Sequence, residues 1–198
     1  IGGRQAGKLF GFDYRGEYYY QWGSGNGQKD TAQQLTNTLL DYDRDAYMFG
    51  LRVGKSFNNV SFKPGLTVWY DYLSGTTDDD QRGGSGSWNS FNTLYDTGHK
   101  FYGLQDVFLG VNNGTATGTQ GLGLQDFALK GKINPMPGWI LKAHYHWFWT
   151  AEGAAANTTT RGFANVTAAG QDPLGNFLGN EFDITAVTKM NANTKVMI

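Results

Sequence analysis

Residues 9–22, LFGFDYRGEYYYQW, carry Phe10, Phe12, Tyr14, Tyr18, Tyr20 and Trp22 on every second position, with Leu9, Gly11, Asp13, Arg15, Glu17, Tyr19 and Gln21 between them. Successive side chains of a strand point to opposite faces, so this segment predicts one strand with an oily face and a charged face. A water-soluble sheet also alternates, but it seldom fills the oily face almost wholly with aromatic rings over so long a run. A transmembrane β-barrel does so routinely. Its outer face meets lipid and is girdled by Tyr and Trp, while its inner face lines water and accepts Asp, Arg and Glu.

Composition narrows the alternatives. No stretch of the 198 residues approaches the roughly 18 to 20 apolar residues that a membrane-spanning helix needs. Hydrophobic content of 39% is instead dispersed in alternation, and 29 glycines beside only 4 prolines suit many strands joined by loose loops. A net charge of −1 offers no basic footprint for nucleic acid. Without cysteine there is neither a disulfide scaffold nor a thiolate zinc site. The chain reads as one domain, and its start at Ile1, with no initiating Met or signal segment, marks it as mature, trimmed or part of something longer.

Further strands follow. Tyr47, Phe49, Leu51 and Val53 alternate with Met48, Gly50, Arg52 and Gly54. Asn58 and Asn59 predict a tight turn, because Asn tolerates positive φ, and a third strand then sets Leu66, Val68, Tyr70 and Tyr72 against Lys63, Thr67, Trp69 and Asp71. A fourth is expected over residues 122–133, with Phe127, Leu129 and Ile133 opposing Asp126, Lys130 and Lys132. After a turn at residues 134–138, Trp139, Leu141, Ala143, Tyr145, Trp147 and Trp149 face outward on a fifth strand, against Ile140, Lys142, His144, His146 and Phe148. A sixth is expected over residues 182–189 and a short seventh ends at Ile198. The connections alternate between long and short, as in outer-membrane barrels with long external loops and brief periplasmic turns. Residues 74–120 form one long connection, and their aromatic content predicts a folded loop. About seven strands fall short of the even number, at least eight, of single-chain bacterial barrels, so the chain is expected to be a partial barrel over residues 1–198.

Three segments carry a resemblance. FNTLYDTGHKFYGLQD at 91–106, GLGLQDFAL at 121–129 and Tyr145-His146-Trp147-Phe148 together resemble the alginate export family of outer-membrane proteins, with Asp96 standing where that family usually has Pro. The resemblance implies a large monomeric barrel in the outer membrane of a Gram-negative bacterium, conducting a hydrophilic solute such as a polyuronate or other polysaccharide, with this chain its C-terminal part. It also marks His99, Lys100, Tyr102, Gly103 and Asp106 as the family loop. Folded inward, that loop would narrow the pore, Lys100 offering charge and Tyr102 a ring for a sugar; otherwise it pins itself to the wall.

A conduit for polyuronate needs cations along its narrow part, because each carboxylate must exchange water for fixed donors. The inward candidates are Arg15, Arg52, Lys63, Lys130, Lys132 and Lys142, opposed on the same faces by Asp13, Glu17, Asp71, Asp126 and Asp183. These charges could form a salt-bridge ladder that stiffens the wall, the more usual arrangement, or a selective anion path.

Catalytic readings are weaker. Asp96-Thr97-Gly98 matches an aspartic-protease triplet, but the mechanism needs two copies and there is one. Asp41, Asp43 and Asp45 have early calcium-loop spacing, yet Ala46 replaces the required glycine and Arg52 stands where a bidentate Glu belongs. A weak calcium contact there, or at Asp78-Asp79-Asp80, is the only cofactor reading. His144 and His146 share a strand face and could reach one metal, but hydrogen bonding in the lumen is the expected role, and no metal site is assigned. Gly121-Leu122-Gly123 lacks the third glycine of a dinucleotide site.

The reading is a passive outer-membrane conduit without catalysis, in contact with lipid and a hydrophilic solute and driven by a gradient or a periplasmic partner. The alternatives are a barrel serving as scaffold or anchor in a surface complex, and, disfavoured by its aromatic bands, a soluble binding protein.

Overall fold

A computed structural model describes residues 1–27, 40–77, 87–93, 101–108, 119, 121–153, 177–191 and 193–198. The described elements are all strands: β1 (Gly2–Leu9), β2 (Phe12–Gly27), β3 (Leu40–Ser56), β4 (Gly65–Leu73), β5 (Ser87–Trp88), β6 (Leu124–Ile133), β7 (Trp139–Trp149), β8 (Phe177–Lys189) and β9 (Lys195–Met197). They form one sheet in the order β1-β2-β3-β4-β6-β7-β8-β9, every neighbour antiparallel, with β5 off the path beside β3. The sheet is open, β1 and β9 being its edges. No described helix is long and apolar enough to cross a membrane.

Several sequence expectations change. Residues 9–22 are not one strand: the chain reverses at Phe10 and Gly11, whose φ angles of 50° and 79° make a two-residue hairpin closed by the Leu9–Phe12 pair. Phe10 is therefore a turn tip, and the path has eight strands rather than seven. The turn between β3 and β4 takes its positive φ at Phe62 and Lys63, not at Asn58 or Asn59. Lys63 thus leaves the strand face and lies exposed in that turn. The polar stretch after residue 22 is partly strand, since β2 and β3 stay paired as far as Gly27 and Leu40, and β8 begins five residues earlier than the alternation suggested.

Outward positions carry the apolar side chains, as alternation demands. Phe12, Tyr18 and Trp22 of β2, Tyr47, Phe49, Leu51 and Val53 of β3, and Phe182 and Ile184 of β8 are all exposed. Toward the long-loop end their rings meet across strands: Tyr18 and Tyr47 at 6.3 Å, Tyr47 and Tyr72 at 5.7 Å, Phe49 and Tyr72 at 5.2 Å. At the short-turn end Lys55 lies over Phe12 and Phe57 at 4.9 and 5.5 Å, an amphipathic side chain at an aromatic girdle. Away from that girdle such a face tolerates charge poorly. Leu51→Arg is expected to cost about 2–4 kcal/mol of stability in a bilayer, read from urea unfolding in vesicles, and an unchanged midpoint would remove lipid from this face.

The inner face is organised in levels by the register. Next to the short turns lie Ser56, Gly65, Lys132, Lys142 and Thr185; above them Asp13, Gly54, Thr67, Lys130, His144 and Asp183; then Arg15, Arg52, Trp69, Ala128, His146 and Glu181; then Glu17, Gly50, Asp71, Asp126 and Phe148; then Tyr19, Met48, Leu73 and Leu124. Charge thus dominates the half nearer the turns. Apolar side chains take over toward the long loops.

Candidate functional site: the inner face of the wall

Two facing levels of opposite charge make the centre of the wall. Glu17, Asp71 and Asp126 share one level, and Gly50 between the first two leaves them space, since a Cβ there would press on both Asp71 and Glu17. One level below, Arg15 stands directly across from Arg52. Such a like-charge pair needs a bridge, and Glu17 supplies it: Arg15 Nη2 donates to both Glu17 oxygens at 2.8 and 2.7 Å, and Arg52 Nη1 lies 3.0 Å from Glu17 Oε1. Arg52 Nη2 donates to Asp71 Oδ2 at 3.2 Å, and Trp69 Nε1 donates to the same oxygen at 2.7 Å. The Arg52 guanidinium lies 3.5 Å from the Trp69 ring centre and the Lys130 ammonium 3.9 Å from it. His146 Nδ1 meets the Asp126 carboxylate at 2.9 and 3.0 Å.

This network does not use all its donors. Arg15 Nε, Arg52 Nε and Arg52 Nη1 are buried without an aligned hydrogen-bond acceptor. Below them, toward the short turns, a cleft of about 450 Å³ opens along the wall. Arg15, Arg52, Lys130, Lys132 and Lys142 face it, with Lys55 at its margin, and among the described residues Asp13 is its only lining carboxylate. Asp13 is itself 3.3 Å from Lys8.

The apolar half of the inner face is covered by two pieces of the long connection between β4 and β6. Phe91 and Tyr102 join Ala46, Leu73, Leu124 and Phe148 in a buried cluster, and Phe101 and Phe108 pack against it. Polar contacts fix the second piece to the wall. Glu181 Oε1 accepts the backbone N–H groups of Leu104 and Gln105 at 2.6 and 2.9 Å, and Lys130 Nζ donates to Phe101 O at 3.4 Å. Gly103 has a φ of 84°, and any Cβ on it would collide with the Glu181 carboxylate. Burial pushes the Tyr102 phenol above its ordinary pKa, and the neighbouring Asp71 and Asp126 charges act in the same direction.

Of the six basic residues expected on the lumen, the structure brings Arg15, Arg52, Lys130, Lys132 and Lys142 to one cleft and leaves Lys63 in a turn. Tyr102 and Gly103 of the family loop lie on the inner face, and Asp106 follows them at a φ of 54°. His99 and Lys100 fall outside the described residues, as do Asp78, Asp79 and Asp80; Asp43 and Asp45 sit in strand β3 rather than a loop. Trp69 and Glu181 were missed as organising residues. Trp69 was legible as inward-facing from its alternation with Asp71, but nothing local signals that two cations converge on its ring. Glu181 precedes Asp183 by two and shares its face, a signal that could have found it.

A search of curated proteins returns no match. The family model described as alginate export matches residues 1–198, the full length of the sequence. That family consists of outer-membrane export channels, and the open antiparallel sheet with a lipid-type outer face and an ionic inner face agrees with it. The chain belongs to the alginate export family.

Proposed function

We propose that this chain forms part of the wall of an outer-membrane channel through which an anionic polysaccharide, with a polyuronate as the model solute, leaves the cell. The observation that carries the reading is the charge imbalance of the cleft: among the described residues, Lys130, Lys132 and Lys142 face it beyond the paired arginines, against one lining carboxylate, Asp13, which Lys8 already meets. The sequence left open whether the lumen charges form a neutral ladder or an anion path, and the register supports both uses at different heights. Arg15, Glu17, Arg52 and Asp71 form a ladder that holds the strands in place. The cleft beneath supplies unspent positive charge, and a uronate carboxylate moving along it would exchange hydration for Lys and Arg donors at successive sites, the weak multisite binding that permits passage.

The test is planar-bilayer conductance of the longer parent barrel that contains this wall, with a salt gradient and oligouronates as blockers. The protein should show an anion-preferring reversal potential and block by oligouronate, and Lys130→Ala with Lys132→Ala and Lys142→Ala should move the potential toward neutrality and weaken block. Cation preference in the unaltered protein would sink the reading. A scaffold or anchor role is the second reading, favoured by the apolar cluster that Phe91, Tyr102 and Phe108 build on the inner face. It predicts no current from verified insertions under any gradient.

A further inference from the structure

We propose that His144, His146 and Asp183 form a site for a divalent transition-metal ion of the zinc type on the inner face. The two histidines are two positions apart on β7 and so share a face, and the register sets Asp183 of β8 directly opposite His144. One ligand atom from each of the three residues lies within 4.8 Å of the others. Proximity alone would be weak. The stronger observation is what the buried atoms lack.

His146 is fully buried, and its Nδ1 contacts both Asp126 oxygens. An ionised carboxylate only accepts, so Nδ1 carries a proton, and in the neutral imidazole Nε2 then presents its lone pair. That Nε2 is buried and has no hydrogen-bond partner, and neither has Asp183 Oδ2, on a residue that is 7% exposed. Two buried acceptors without partners, converging with a third ring that has a lone pair of its own, offer a cation three donor atoms at one point. A cation satisfies all three. The Asp126–His146 pair is the carboxylate–histidine brace that fixes the tautomer and raises the basicity of a metal-binding imidazole. Two nitrogens and one carboxylate oxygen suit zinc and leave a fourth position for water or a solute oxygen. Lys130, across the ladder from His144, is the rival cation, but its ammonium is turned to the Trp69 ring and the Phe101 carbonyl. Glu181, next on the same face, meets Asp183 as well as the Leu104 and Gln105 amides, which leaves Oδ2 as the unpartnered oxygen of Asp183.

The protein, folded in detergent and stripped with EDTA, would be titrated with zinc chloride by calorimetry and with cobalt(II) by visible absorption. One equivalent should bind, and cobalt should give the intense visible bands of a four-coordinate N/O site. His144→Ala and Asp183→Asn should abolish both signals; His144 is only half-buried, and an unchanged far-ultraviolet β signal would confirm that the sheet still forms. Asp126→Asn, which keeps the ligands and weakens the brace, should lower affinity about 10–100-fold. No uptake, or uptake that His144→Ala and Asp183→Asn leave unchanged, overturns the proposal.

Discussion

Arg52→Ala is expected to destabilise the wall by about 3–5 kcal/mol, the cost of removing one partner from buried ion pairs and leaving the other charges uncompensated. Arg52 is 7% exposed and holds both Glu17 and Asp71 while lying against Trp69. Its loss leaves Arg15 alone to neutralise Glu17 and strands Asp71 one position across the sheet from Asp126. The readout is the urea midpoint in detergent or vesicles. Arg52→Lys is the informative companion, because an ammonium cannot serve two carboxylates on separate strands while stacking on an indole, so it should recover only part of the loss. A midpoint within experimental error of the unaltered protein would show that the two charged levels do not stabilise the sheet.

Gly103→Val should leave the wall intact and unseat the segment that covers its apolar half. At a φ of 84° a β-branched residue is strained by about 1–3 kcal/mol, and its Cβ would occupy the position of the Glu181 carboxylate. The two amide bonds to Glu181 are lost together, and with them the anchor that keeps Phe101 and Tyr102 against Trp69 and the buried cluster. Larger unitary conductance of the parent barrel, a lowered urea midpoint from the lost burial of Tyr102 and Phe101, and new protease cleavage near residue 103 are the expected results. Unchanged conductance with cleavage present would mean that the segment does not narrow the lumen.

The lipid face was legible because its signal has a period of two and is local: Tyr47 to Val53 and Trp139 to Trp149 announce their direction residue by residue. The hairpin at Phe10 and Gly11 was hidden by the same logic, since an aromatic on the expected position continued the pattern through a turn that only Gly11 betrays. The basic residues of the inner face were legible as a set, with Lys63 misplaced because the Phe62–Lys63 turn breaks the alternation just before β4. Which cations are spent on pairs and which remain in the cleft depends on register between strands, and sequence spacing within one strand carries no such information. The seat of the family loop was equally out of reach: Leu104 and Glu181 are separated by 77 residues.

That separation has a consequence for the order in which the protein can form. The surface on which residues 101–108 rest is assembled from Leu73 before them and from Leu124, Phe148 and Glu181 after them, so no part of the seat on β6, β7 or β8 exists when the segment itself has been made. Local hairpins such as β1–β2 and β6–β7 close at small cost in chain entropy, whereas docking of the segment requires strands far along the chain to be paired already. The inner face is therefore expected to form before residues 101–108 dock on it. Until that docking step Leu124 and Phe148 lack their cover, so the unfinished wall is stickier than the finished one.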